Sequence, residues 1–151
     1  MTHEEFREMF DLAREKRTGN FVDAEGESSL VKATAVEIEK SEGLLGVRLP
    51  DRLRWFLQNI GGGEFGSELV FTAIPSGRGS LAVENVRFAD ANFTALVDDQ
   101  TGGCYGVVSE NGVCGDQIFY WDDIEGPPPI RTEFTSILNF LAARVLNRIL
   151  S

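Results

Sequence analysis

Apolar residues at the start of the chain recur at helical spacing. Phe6, Met9, Phe10 and Ala13 fall at i, i+3, i+4 and i+7, one buried stripe. Thr2-His3-Glu4-Glu5 ahead of them has the spacing of a capping box, in which hydroxyl and carboxylate each satisfy an orphan backbone N–H. The pattern predicts a helix to about Lys16. Residues 18–33 have weak periodicity and many small polar residues, which predicts a loop with at most a short strand or turn. A second box, Thr34-Ala35-Val36-Glu37, predicts a helix through Ile38 to Ser41 or Glu42, stopped by Gly43 and Gly46. Pro50 suits the first position of a third helix, where its missing N–H costs nothing. Leu53, Phe56, Leu57 and Ile60 form the stripe of that helix, and Arg52, Arg54 and Gln58 lie off it. Gly61 stands where a left-handed C-cap is needed.

Beyond Glu68 the period shortens to that of strands. Leu69-Val70-Phe71, Leu81-Ala82-Val83, Phe93 to Val97, Tyr105 to Val108 and Gln117 to Trp121 are short β-rich runs. Pro75-Ser76-Gly77, Thr101-Gly102-Gly103 and Asn111-Gly112 separate them as turns. Pro127-Pro128-Pro129 breaks the chain, and a last helix carries Phe134, Ile137, Leu138, Leu141, Val145 and Ile149 on one face. Thr132 or Thr135 is its expected cap, and Arg144 and Arg148 oppose its dipole. No βαβ alternation is present. The order predicts one α+β domain over residues 1–151, with N-terminal helices and a C-terminal helix packed on a twisted antiparallel sheet.

Charge sharpens this picture. The net charge is −10, and no Lys or Arg stands between Arg87 and Arg131. That segment carries Asp90, Asp98, Asp99, Glu110, Asp116, Asp122, Asp123 and Glu125. Such a field repels nucleic acid and anionic membrane and steers a basic protein partner inward. No apolar run approaches the roughly 20 residues that span a bilayer. The N-terminus lacks the basic-then-apolar layout of a signal peptide, so a cytoplasmic location is expected. Cys104 and Cys114 flank a hairpin joined at Asn111-Gly112 or by residues 109–112, and either register holds them beyond bridging distance. Free, partly buried thiols are the expectation.

Several candidate chemistries fail on their own terms. Gly61-Gly62-Gly63 lacks the Lys-Ser/Thr of a phosphate loop and follows a helix, whereas anions bind at helix N-termini. His3, the one histidine, is distant in sequence from both cysteines, which argues against a Cys–His nucleophile. Asp98, Asp99, Asp116, Asp122 and Asp123 lack the periodicity of a calcium loop, and adjacent aspartates on a strand point to opposite faces. No catalytic residue, cofactor or metal is therefore expected. Trp55 lies beside the stripe of its helix, and Trp121, at a strand end beside Asp122 and Asp123, has the make-up of a protein-binding spot; either reads equally as an edge residue of the core, Trp55 more so than Trp121.

These residues resemble the SUKH superfamily, also called the Smi/Knr-like family. The resemblance lies in Ile38, Glu42, Leu45-Gly46, Leu49-Pro50, Phe56-Leu57 and Asn59 before Gly61-Gly62-Gly63. Downstream, Ile118 to Asp123 is similar to the family's late aromatic strand and acidic turn, and Phe134 to Leu141 to its closing helix. The match spans residues 34–141, with 1–33 as an N-terminal extension. The resemblance implies a binding domain without enzymatic activity. Bacterial members look like immunity proteins of polymorphic toxin or contact-dependent inhibition systems, which bind a cognate toxin domain, often a nuclease. Fungal relatives resemble regulatory scaffolds of cell-wall assembly. The acidic segment suits the first role, since nucleases are basic where they hold phosphates. The expected contacts, taken from charge alone, are Asp98, Asp99, Asp116, Trp121, Asp122, Asp123 and Glu125.

Overall fold

The computed structural model describes residues 1–16, 21–23 and 27–151. Both capping boxes form. Thr2 caps α1 (His3–Glu15), and Thr34 caps α2 (Ala35–Leu45), each with its glutamate reaching back. Helix α2 runs further than expected, with Gly43 inside it and Gly46 as its left-handed cap at φ 73°. Pro50 is the N-cap of α3 (Asp51–Asn59) rather than its first residue. The predicted stripe holds: Leu53, Phe56, Leu57 and Ile60 are all buried. His3 stacks on Trp55, ring centroids 4.5 Å apart, so the start of α1 is held against α3. Of the expected loop over 18–33, residues 18–20 and 24–26 lie outside the described residues. The rest anchors Phe21 in the core and pairs Val22 with Ser28 and Val31 with Gly62.

The three glycines are a crossing point for backbone. Gly61 has φ 102°, and a Cβ there would meet the Val31 carbonyl carbon at 2.6 Å. A Cβ on Gly62 would meet the Phe71 carbonyl oxygen at 2.8 Å. The chain then enters the sheet as β1 (Gly63–Phe65) and β2 (Glu68–Val70). Strands β3 (Phe93–Asp98), β4 (Gly103–Glu110), β5 (Val113–Cys114), β6 (Phe119–Asp122) and β7 (Ile130–Arg131) complete it. The strand order is β1-β2-β3-β4-β6-β7, with β5 pairing β4, and every pairing is antiparallel. The architecture is the expected α+β.

Leu81-Ala82-Val83 is not a strand. It forms α4 (Leu81–Glu84), capped by Ser80 Oγ, which accepts from the Val83 N–H. Buried Asn85 then clamps this turn to the sheet, donating to the Leu81 and Ala95 carbonyls and accepting from the Ala95 N–H. Asn111 (φ 52°) and Gly112 (φ 78°) make a two-residue turn between β4 and β5, whose positive angles match the twist of a tight hairpin. The register shifts after β5, so Cys104 lies opposite Trp121. Both thiols are free and buried. The closing helix is capped by Ser136, not Thr132 or Thr135, and Phe134 precedes it. It runs as α5 (Ile137–Leu141), a π-helical stretch (Ala142–Leu146) and α6 (Asn147–Leu150). Helices and sheet enclose one core centred on Phe6, Phe10, Phe21, Phe56, Phe65 and Phe140.

Candidate functional site

The pairing of β4 with β6 gathers most of the acidic candidates at one end of the sheet. Gly103 lies opposite Asp122, Asp98 opposite Cys104, and Cys104 opposite Trp121. The Asp123 N–H bonds to the Gly102 carbonyl at 3.0 Å, locking the β3–β4 turn to the β6–β7 connection. Asp98, Asp99, Trp121, Asp122, Asp123 and Glu125 therefore share this end. Asp116 does not. It lies between β5 and β6, at the opposite end of β4, with its carboxylate 3.7 Å from Arg52 of α3.

The carboxylates differ in how free they are. Asp98 Oδ1 accepts from the Gln100 N–H. Asp99 is only 8% exposed. Its Oδ1 accepts from the Thr101 and Gly103 N–H groups at 2.8 and 3.0 Å, and its Oδ2 accepts from the Tyr120 hydroxyl at 2.8 Å. Burial alone would raise its pKa, but these hydrogen bonds outweigh it and hold the carboxyl below its ordinary value. Burial, with Asp99 beside it, pushes the Tyr120 hydroxyl well up. Asp122 Oδ1 accepts from the Ile124 and Glu125 N–H groups, so it shapes the turn that follows. Asp123 meets Arg87 at 2.9 Å, and that guanidinium also donates to Cys104 Sγ and covers the Phe88 ring at 4.4 Å. Trp121 is half-buried and packs edge-on against Phe88, 5.0 Å between centroids, and beside Phe93. Glu125 is exposed.

Ile124 is the residue that charge alone did not single out. It is 95% exposed, on a turn fixed by Asp122 and between Asp123 and Glu125. The signal was present in Asp-Asp-Ile-Glu-Gly: an aliphatic residue with no helical or strand-period partner, isolated among acids. A projecting aliphatic group with an acidic surround matches the apolar centre and polar rim of a protein interface. Among the described residues, no group of three His, Cys, Asp or Glu side chains is placed to hold a metal ion. No helix of those residues is long and apolar enough to cross a membrane.

The family model described as SMI1-KNR4 cell-wall (SUKH_6) matches residues 36–141, well over half of the chain. The chain belongs to this SUKH family. No curated protein matches it. Membership implies protein–protein interaction in general and fits immunity-protein or SMI1/KNR4-like roles. In this SUKH domain the motif residues are architectural. Glu42 Oε2 accepts from the Leu49 N–H at 2.8 Å, and its carboxylate lies 3.5 Å from Arg54. Gly46 turns the chain out of α2, and Asn59 Nδ2 donates back to the Trp55 carbonyl. These motif residues thus build the helical layer of the domain.

Proposed function

We propose that this SUKH domain is a non-enzymatic immunity protein of the cytoplasm, which neutralises a cognate bacterial toxin by binding it directly. The observation that carries this reading is the Asp122-shaped turn, which holds Ile124 almost wholly in solvent amid carboxylates. A basic toxin surface, such as a nuclease presents to phosphates, would be steered by the charge and anchored by the isoleucine. Asp98 and Glu125 supply the accessible charge, Asp123 is paired with Arg87, and Asp99 and Asp122 hold the turns.

The test is co-expression with a toxin domain encoded by a gene neighbouring this one, scoring growth and co-purification. Ile124→Ala and Glu125→Lys together should weaken binding at least tenfold, about 1.4 kcal/mol, with unchanged folding. Full affinity in that double variant refutes the assignment of this surface. The cell-wall association in the family's description favours a second reading, a regulatory scaffold of cell-wall assembly. A gene neighbourhood of wall-synthesis genes, with no toxin gene beside it, supports the scaffold instead.

A further inference from the structure

Neighbouring strands place opposite residues on one face and successive residues on alternate faces. Cys104 and Trp121 therefore face Phe88 and Phe93, while Tyr105, Tyr120 and Ile130 share the other face, toward the closing helix. On that face lies an open groove of about 660 Å³, walled by Tyr105, Tyr120, Thr132, Glu133, Phe134 and Arg144. The Tyr105 and Tyr120 rings lie 4.8 Å apart. Arg144 covers Tyr105 at 5.3 Å and donates through Nε and Nη2 to Glu68 Oε1 at 3.0 and 2.7 Å.

The charge of Arg144 is thus already met inside the fold. Glu68 is 1% exposed, and its second oxygen, Oε2, is buried with no hydrogen-bond partner among the described residues. The Arg144–Glu68 pair is therefore neutral as a whole, and Arg144 brings no net positive charge to the groove. Asp99 adds its carboxylate behind the Tyr120 hydroxyl, and Glu133 on the rim has no basic partner among the described residues. Tyrosine faces backed by carboxylates attract a cation, and a flat guanidinium most of all, since it stacks on a ring while donating from its edge. Arg144 on Tyr105 already shows this chemistry within the molecule. A latch between helix and sheet accounts for Glu68 and Arg144 alone; it leaves Tyr120, Glu133 and the open volume unexplained.

We infer that this groove receives an arginine side chain of the protein partner. The inference rests on the protein-binding reading above and adds a second contact, on the face beneath the closing helix. Charge complementarity selects the occupant: with Arg144 neutralised by Glu68, Glu133 on the rim and Asp99 behind Tyr120 are the carboxylates without a basic partner among the described residues, in a chain of net charge −10.

The full-length protein is titrated with N-acetyl-arginine amide and observed by amide and side-chain NMR. N-acetyl-citrulline amide, the uncharged isostere, is the control. Arginine amide should shift Tyr105, Tyr120, Thr132, Glu133 and Phe134 saturably, and citrulline amide at least fivefold more weakly. Glu133→Gln should weaken arginine amide at least threefold with an unchanged native spectrum, and Ile124→Ala should leave this titration unaltered. Equal responses to the two amides, shifts outside the groove, or no shift at all would overturn the inference. Because Ile124→Ala reports only on the acidic turn, failure of that surface and failure of the groove are separately visible.

Discussion

The Glu42 carboxylate accepts a hydrogen bond from the Leu49 backbone N–H at 2.8 Å, tying the end of α2 to the entry of α3. Arg54 lies 3.5 Å from the same oxygen, and the carboxylate is largely sequestered, with 12% of the side chain exposed. Removing a buried, charge-assisted acceptor leaves its donor unsatisfied, at about 1–3 kcal/mol. Glu42→Ala should lose that much stability in urea unfolding with an unchanged slope. An unmoved midpoint would refute this role.

At Gly61 two penalties coincide. A side chain must adopt φ 102°, and its Cβ must enter the Val31 carbonyl at 2.6 Å. Gly61→Ala should cost about 2 kcal/mol or more. Gly77 also has a positive φ but open space around it, so Gly77→Ala should cost visibly less. Thermal melts of the two variants separate crowding from conformation.

Asp99 makes stability depend on acidity. Its folded pKa is depressed, so its contribution is present above the unfolded value, 3.8, and is lost as pH falls through the folded value. Asp99→Asn should therefore be less stable than the parent at pH 7. The gap should narrow below about pH 4, as the parent carboxyl protonates. Urea midpoints measured from pH 7 down to pH 2 check the sign; a constant gap contradicts it.

Burial pushes the Cys104 thiol up to about 11, outweighing Arg87 beside it, and raises Cys114 as well. Thiolate is the reactive form, so neither sulfur should react with a disulfide reagent at pH 8 in the native protein. Both should react on adding denaturant. Fast labelling of either native thiol would show that the hairpin opens.

Local signals were legible in the chain, and distant ones were not. Thr2 and Thr34 cap their helices because each box closes within three residues. Leu81-Ala82-Val83 is too short for its period to separate strand from helix turn; what decides it is Asn85, whose amide bridges the Leu81 carbonyl and Ala95 of the neighbouring strand. Arg144 reads as a cation placed for a helix dipole, yet its partner is Glu68, brought to it across the sheet. At the acidic end, the sequence supplied the charges but not their assignments. Which carboxylate holds a turn depends on backbone N–H groups that only the β4–β6 pairing positions, and the exposure of Ile124 follows from the same pairing.

The last strand, β7, has two residues and follows three prolines. Prolines lack the N–H that a neighbouring chain would need to extend a ladder, and two residues template almost nothing. The sheet ends there without offering a seed for fibril growth. Ile124 and Ile130, both largely in solvent, stand near that blunted border rather than beside an open ladder. Replacing Pro128 and Pro129 with threonine would lengthen that border and should increase self-association relative to the parent, read by light scattering.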